Sequence, residues 1–303
     1  MESLVGYSGF VGSNLRAQGN FEGLYDEKNI EEAFGTRPEL LFYAGVPAAK
    51  FLANNDPPKD LAVVENALNN IRLIKPKKVV LISTVDVFEE PNGKDESCPA
   101  YSSQAYGHNR HLLEEWVMKE FDSTVVRLPG LYGKNIKKNF VYDYINYIPS
   151  MLTDAKIAEL GRRDPLLYAS YFDRGDGFWR LKEGVDRPKL RETFKKLGFS
   201  ALNFTDSRGM FQYYNLRYLY NDIKKVLDND IRLMHLATEP INIGKLYEHI
   251  TGEKFVNELD RPVPNYDFRT MHRDIFGGEN GYIQKADFIY EDIKRFVERE
   301  LKL

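Results

Sequence analysis

An α/β fold, with a doubly wound parallel sheet and a smaller, mainly C-terminal second domain, is what this 303-residue sequence predicts. Three observations lead there. Short apolar runs alternate with helical periodicity through the first half of the chain. One run, Val79-Val80-Leu81-Ile82, is apolar without a break, as a parallel strand buried on both faces requires. The first run leads directly into three evenly spaced glycines, Gly6, Gly9 and Gly12.

Taken in order, Leu4-Val5 is the first strand and Phe10 to Arg16 the first helix. Leu24-Tyr25 is a weak second strand, and Leu40 to Ala44 a third. Leu61, Val64, Leu68 and Ile71 recur at helical spacing, so a helix runs from about Lys59 to Ile74 and ends before Pro76. After strand Val79 to Ile82 come a helix from Gln104 to Phe121 and a strand from Thr124 to Leu128. The stretch from Gly12 to Ala44 is short, and one strand of the usual unit is expected to be missing there. From about Ser150 to Ser200 the chain is charged and aromatic, and reads as helical or irregular. Ile231 to Leu236 is one more strand, Ile243 to Thr251 a helix, and about Tyr290 to Leu301 an amphipathic terminal helix. The expected domains are 1–150 with about 205–245, binding a dinucleotide, and 151–204 with 246–303, binding substrate.

Composition excludes several function classes. A net charge of -3 with mixed signs gives no footprint for nucleic acid or a membrane surface. The lysine clusters at Lys75 to Lys78 and Lys134 to Lys138 read as solvated loops. One cysteine, Cys98, permits neither an intrachain disulfide nor a Cys-based zinc site. The histidines lack metal-ligand spacing, so no metal is expected. No apolar run approaches the ~20 residues of a membrane span. With a strand and glycine loop at the N-terminus in place of a signal peptide, the expected location is the cytoplasm.

The glycine loop has a physical task. Gly6 makes a tight turn, Gly9 lets backbone approach a pyrophosphate, and Gly12 lets helix pack closely on strand. The helix N-terminus offers N–H groups to the phosphates. Ser8, Phe10 and Val11 complete the loop, and the arrangement is that of a Rossmann dinucleotide site. Asp26 follows the second strand, 14 residues after Gly12, where a carboxylate would take the ribose 2′-hydroxyl of NAD. Lys28 could instead meet the 2′-phosphate of NADP; Asp26 tilts the choice toward NAD.

Ligands of open α/β sheets bind outside the C-terminal ends of the strands, where Thr84 and Asp86 lie. Tyr106 and Arg110 stand one helical turn apart and project from one face. A tyrosine near pKa ~10 is a poor base, but a nearby cation stabilises its phenolate. With Thr84 orienting the same substrate oxygen, Tyr106 could move a proton while hydride moves at carbon.

On Gly6-x-x-Gly9-Phe10-x-Gly12, Ala44-Gly45, Asn66, Ser83-Thr84, Tyr106 with its cation, and Arg127 to Gly133, the chain resembles the extended short-chain dehydrogenases, of the NAD-dependent epimerase/dehydratase type. The resemblance covers about residues 1 to 135. It implies a nicotinamide cofactor contacted by the glycine loop, Ala44, Gly45, Tyr106, Arg110 and Leu128. It implies a nucleotide-sugar substrate held by Thr84 and Tyr106, and often a homodimer. Arg110 stands where the family has a lysine that binds the nicotinamide ribose; arginine keeps the charge but does not readily relay a proton. Asp86 matches the carboxylate that takes a carbon-bound proton in sugar dehydratases, yet Val85 stands where those enzymes carry its aspartate partner. Arg208 is the candidate for the substrate diphosphate, because a guanidinium fork matches phosphate oxygens. The expected function is epimerisation or reduction of a nucleotide-linked sugar. The rival is a cofactor-sensing binding protein that keeps the fold without turnover.

Overall fold

The computed structural model describes residues 1–302. Chain contacts divide it into two units: residues 1–136, 210–241 and 265–292 form the first, and 137–209, 242–264 and 293–303 the second. Residues 137–150 thus fall in the second unit and 265–292 in the first, each opposite to the boundaries drawn from sequence.

The first unit is built on a six-stranded parallel sheet of Rossmann type. Its elements are β1 (Glu2–Val5), α1 (Phe10–Arg16), β2 (Gly23–Tyr25), β3 (Leu40–Tyr43), α2 (Lys50–Asn55), α3 (Pro57–Ile74), β4 (Lys78–Thr84), α4 (Ala105–Glu120) and β5 (Asp122–Leu128). The strand Leu233–His235 completes the sheet, in the order β2, β1, β3, β4, β5, then Leu233–His235. Only β2 lies beyond β1, so the strand expected to be missing is absent from the sheet, and a single turn of 3-10 helix, Ile30–Ala33, leads toward β3.

Period-two alternation makes two cores. Leu4, Phe42, Val80 and Val126 face one layer, with Leu15 of α1 and Leu219 and Ile223. Val5, Leu41, Val79, Leu81 and Val125 face the other, with Val64, Leu68 and Ile71 of α3 and Leu113 and Val117 of α4. At α3, Asp56 accepts the N–H of Lys59, and Lys75 closes the helix in the left-handed region before Pro76.

The second unit contains more strand than its sequence suggests. Met151–Thr153, Phe178–Leu181 and Tyr171–Asp173 form an antiparallel three-stranded sheet. Leu152 and Tyr171 turn into a core with Ile157, Leu160, Leu190 and Phe194, while Met151, Phe172 and Phe178 stay exposed. Strands of three or four residues are too short to display alternation among charged neighbours.

Candidate active site

The loops that follow β1 and β3 meet at the point where the sheet changes direction, because the chain leaves β1 for β2 on one side and returns to β3 on the other. Gly6 takes a positive φ of 86°, and a Cβ there would lie 2.4 Å from Ala44 O. A Cβ on Gly12 would lie 2.0 Å from Gly6 O, so the helix packs on the turn only with glycine at both places. The Gly6 N–H donates to Tyr25 O at 2.7 Å, and Ala44 N–H to Val5 O at 2.9 Å.

The loop fits a dinucleotide. Ser8 and Gly9 are exposed, and a Cβ on Gly9 would meet only Gly6 O, at 3.3 Å, leaving its outer side open for a ligand. No acidic residue occupies the first turn of α1. Phe10 and Val11 pack partly against the core beneath. Asp26 caps the end of β2, where the Lys28 N–H donates to its carboxylate at 3.0 Å. That bond, and the hydroxyl of Ser8 beside it, hold the Asp26 carboxyl below the usual range, so it stands ionised next to the loop. Ala44 is half-buried, Gly45 exposed and Leu128 buried, each at the C-terminal end of its strand.

Thr84 ends β4 level with Leu128 of β5. Its Oγ1 accepts the Asp86 N–H at 3.1 Å, which starts a single 3-10 turn, Val85–Val87. Tyr106 lies in the first turn of α4, buried, with the Thr84 hydroxyl beside its phenol. Gly107 makes this approach possible, since a Cβ there would stand 2.0 Å from Asp86 O. The Tyr106 N–H donates at 2.9 Å to Asn54 Oδ1 on α2, a side-chain cap from another helix.

The structure brings Arg110 to Tyr106 and also binds it elsewhere. Its guanidinium carbon sits 4.1 Å from the centroid of the Tyr106 ring. One nitrogen pairs with Asp60 of α3, and another donates to Pro47 O at 2.7 Å. Asn109 donates to the same Asp60 oxygen at 2.9 Å, and Asp60 and Arg110 are both buried. Burial pushes the Tyr106 phenol up; Arg110 and the Thr84 hydroxyl oppose this, while Asp86 and Asp60 add to it, and the net is upward. The expected lowering by a lone cation is therefore outweighed, because the cation comes with a carboxylate and a low-dielectric setting.

Asp86 is half-buried and pairs with Lys50 of α2 at 2.9 Å. One turn further along α4 from Arg110, buried Glu114 receives Arg127 of β5, with contacts of 3.0 and 2.5 Å, and the Ser83 hydroxyl. Ser83 therefore ties β4 to α4, while Thr84, next along the strand, accepts the Asp86 N–H. His235 extends this network: its Nε2 lies 3.1 Å from Arg127 and can only accept, which leaves Nδ1–H for Arg269 O at 2.9 Å. Asn66 and His108 are exposed. Among the described residues no group of three His, Cys, Asp or Glu is placed to hold a metal, and no helix is long and apolar enough to cross a membrane.

Arg208 belongs to the second unit, apart from these residues in the chain's division. Its fork grips Asp206 at 2.9 and 2.7 Å, and its other arm reaches Glu258 at 3.0 Å. It borders a cavity of about 400 Å³ with Ser207, Asn242, Lys245 and Phe255. Lys50, Asn54, Asp60 and Glu114 were absent from the sequence-based site. Only Glu114 carried a local signal, two helical turns after Tyr106 on the same face.

The fold is that of a doubly wound α/β protein of Rossmann type, with a glycine loop after its first strand and a buried tyrosine at the start of α4. The profile of the NAD dependent epimerase/dehydratase family matches residues 21–170. That match covers 150 of the 303 residues, most of the sheet-bearing first unit. No curated protein sequence matches it. Among solved structures, a dTDP-4-dehydrorhamnose reductase from Bacillus anthracis in complex with NADP superposes with a TM-score of 0.64 at 16% identity, over 98% of this chain and 97% of that one. A UDP-N-acetylglucosamine 4-epimerase from Methanobrevibacter ruminantium, in complex with UDP-N-acetylmuramic acid, gives 0.62 at 10% identity over 98% and 96%. A UDP-glucose 4-epimerase from Thermotoga maritima with UDP-glucose gives 0.57 at 15% over 100% and 99%. At such identities these likenesses establish the fold.

Proposed function

We propose that this chain transfers hydride between a nicotinamide dinucleotide and a sugar carbon of a nucleotide-linked sugar, as an epimerase acting through a keto intermediate or as a reductase. The observation that carries this reading is buried Tyr106 at the start of α4, beside Thr84 at the C-terminal end of a strand of the sheet that bears the glycine loop. The family profile, and the reductase and epimerases that share the fold, support it. When bound, the nicotinamide supplies or accepts the hydride. Tyr106 gives a proton to the substrate oxygen in reduction or takes one in oxidation, and Thr84 holds that oxygen. Asp86 remains a candidate for a second proton transfer from carbon.

Ionised Asp26 favours the ribose hydroxyls of NAD and repels a 2′-phosphate, whereas neighbouring Lys28 would attract one. Arg208 would take a substrate phosphate on the arm that now holds exposed Glu258, with Asp206 keeping the fork in place.

The test begins with the purified protein. Retained nicotinamide is sought by absorbance and fluorescence, and a panel of nucleotide sugars is then offered. Hydride transfer to one of them, abolished in Tyr106→Phe, is the expected result. A bound cofactor with no transfer to any sugar would refute the catalytic reading. It would favour a non-catalytic cofactor sensor, a reading to which the engagement of Arg110 by Asp60 lends its own support.

A further inference from the structure

Two ion pairs flank Tyr106, and they differ in kind. Arg110–Asp60 is buried, with side chains 6% and 8% exposed, and its cation is held in addition by the Pro47 carbonyl. Lys50–Asp86 opens to solvent, at 43% and 26%. The expected partner of the tyrosine is thus already matched by a carboxylate, and a second carboxylate, Asp86, stands on the other side. We propose that Lys50 is a positioning residue for Tyr106: by pairing with Asp86 it adds to the compensating charge that Arg110, itself bound to Asp60, supplies only in part. The inference rests on the reading of Tyr106 as the acid–base group.

Geometry fixes Lys50 in this role. Lys50 and Asn54 lie one turn apart on α2 and so share a face. Asn54 anchors that face to α4 twice, accepting the Tyr106 N–H at 2.9 Å and donating to Gln104 Oε1 at 3.0 Å. The same face then carries the Lys50 ammonium to Asp86 Oδ1 at 2.9 Å. The Asp86 backbone N–H donates to the Thr84 hydroxyl at 3.1 Å, and its carbonyl oxygen lies against Gly107, the residue after Tyr106, so Asp86 is held at the start of α4.

The charged and titratable groups around the phenol are Arg110 on its own helix, Asp60 of α3 and Asp86 after β4, with Lys50 of α2 acting through Asp86. A second phenol reports the same compensation. Tyr266 is pushed up by burial and by Asp86, and pulled down by Lys50. Without the ammonium, the Asp86 charge would act on Tyr106 with only Arg110 against it, and would further disfavour the phenolate.

The test replaces Tyr106 with a difluorotyrosine, whose ionisation is followed by fluorine NMR with no substrate present. In this background Lys50→Met should raise the midpoint by about one pH unit. Lys50→Arg should leave it near the parent value. Adding Asp86→Asn to Lys50→Met should bring it back down. Lys50 is half-buried at the edge of the site with its side chain reaching solvent, and a circular dichroism melt verifies that the variants fold. An unchanged midpoint in Lys50→Met would overturn the inference, as would a midpoint that stays high after Asp86→Asn is added. Because the readout needs no turnover, midpoints that move as expected in a protein inactive on every sugar would refute the proposed function and leave the role of Lys50 standing.

Discussion

Replacing Asp60 with leucine should destabilise the protein by about 3–5 kcal/mol, because it leaves the buried Arg110 guanidinium without its counter-charge. Arg110→Met should cost a similar amount from the other side, since the Asp60 carboxylate would keep only the Asn109 amide. The double variant tells a different story. It removes both charges from a buried site and puts apolar side chains of similar size there. The remaining losses are the acceptor for Asn109, worth about 1–2 kcal/mol, and the donor to Pro47 O, which water can replace. The double variant should therefore lie within about 2 kcal/mol of wild type, and the coupling energy should be several kcal/mol. Urea unfolding of the four proteins at neutral pH measures the cycle. Single variants that each cost less than about 1 kcal/mol, or a double variant equal to their sum, would refute the argument that Arg110 is committed to Asp60.

Other outcomes follow from the same geometry. Gly107→Ala should push α4 away from the Asp86 backbone, costing about 1–3 kcal/mol of stability and, if Tyr106 acts as proposed, about a hundredfold in turnover; unchanged steady-state kinetics would contradict this. Gly12→Ala should abolish nicotinamide binding while the second unit keeps its fold, which fluorescence titration and hydrogen exchange report together. For Glu114, burial pushes the carboxyl up, but His111, Arg127 and Ser83 outweigh it and the net is downward. Its contribution to stability is therefore complete above the ordinary value of 4.5 and is lost as pH falls through the lower folded value, so Glu114→Gln should flatten the acid limb of stability against pH. Asp143 has the opposite sign: burial raises it to about 7, so stability falls as pH rises from 3.8 toward that value. Asp143→Asn should then unfold later than wild type by about 1–3 kcal/mol at mildly alkaline pH, and no later in acid, in paired urea titrations.

The parts of the fold legible in the sequence are those in which local pattern and burial agree. Phe10–Arg16 and Ile243–Thr251 begin and end where expected, because a glycine loop precedes the one and Asn242 and Gly252 cap the other. Strand β4 extends Val79 to Ile82 by one residue before and two after, since Ser83 and Thr84 pair with β5 although neither is apolar. The short sheet of the second unit was hidden by its three- and four-residue strands. At the site, Thr84 and Tyr106 were legible because a strand end and a helix face each have a rule. Asp60, Lys50 and Asn54 follow none: they precede Tyr106 by a helix, a strand and a loop, and only the packing of α2 and α3 against α4 makes them neighbours. Seen from sequence, Arg110 was the cation that acidifies Tyr106 and anchors the cofactor ribose. The carboxylate that claims it lies 50 residues earlier.

The helix α2 has six residues, too few to persist in water by itself, and it turns Phe51 and Leu52 outward at 77% and 66% exposure. Asn54 fastens it to α4, and Lys50 ties it to Asp86 in the turn after β4. If Lys50 and Tyr106 act as proposed, its winding and the readiness of the tyrosine are one event, and the rate at which the amides of residues 50–55 trade hydrogen with solvent becomes a clock for the state of the candidate site.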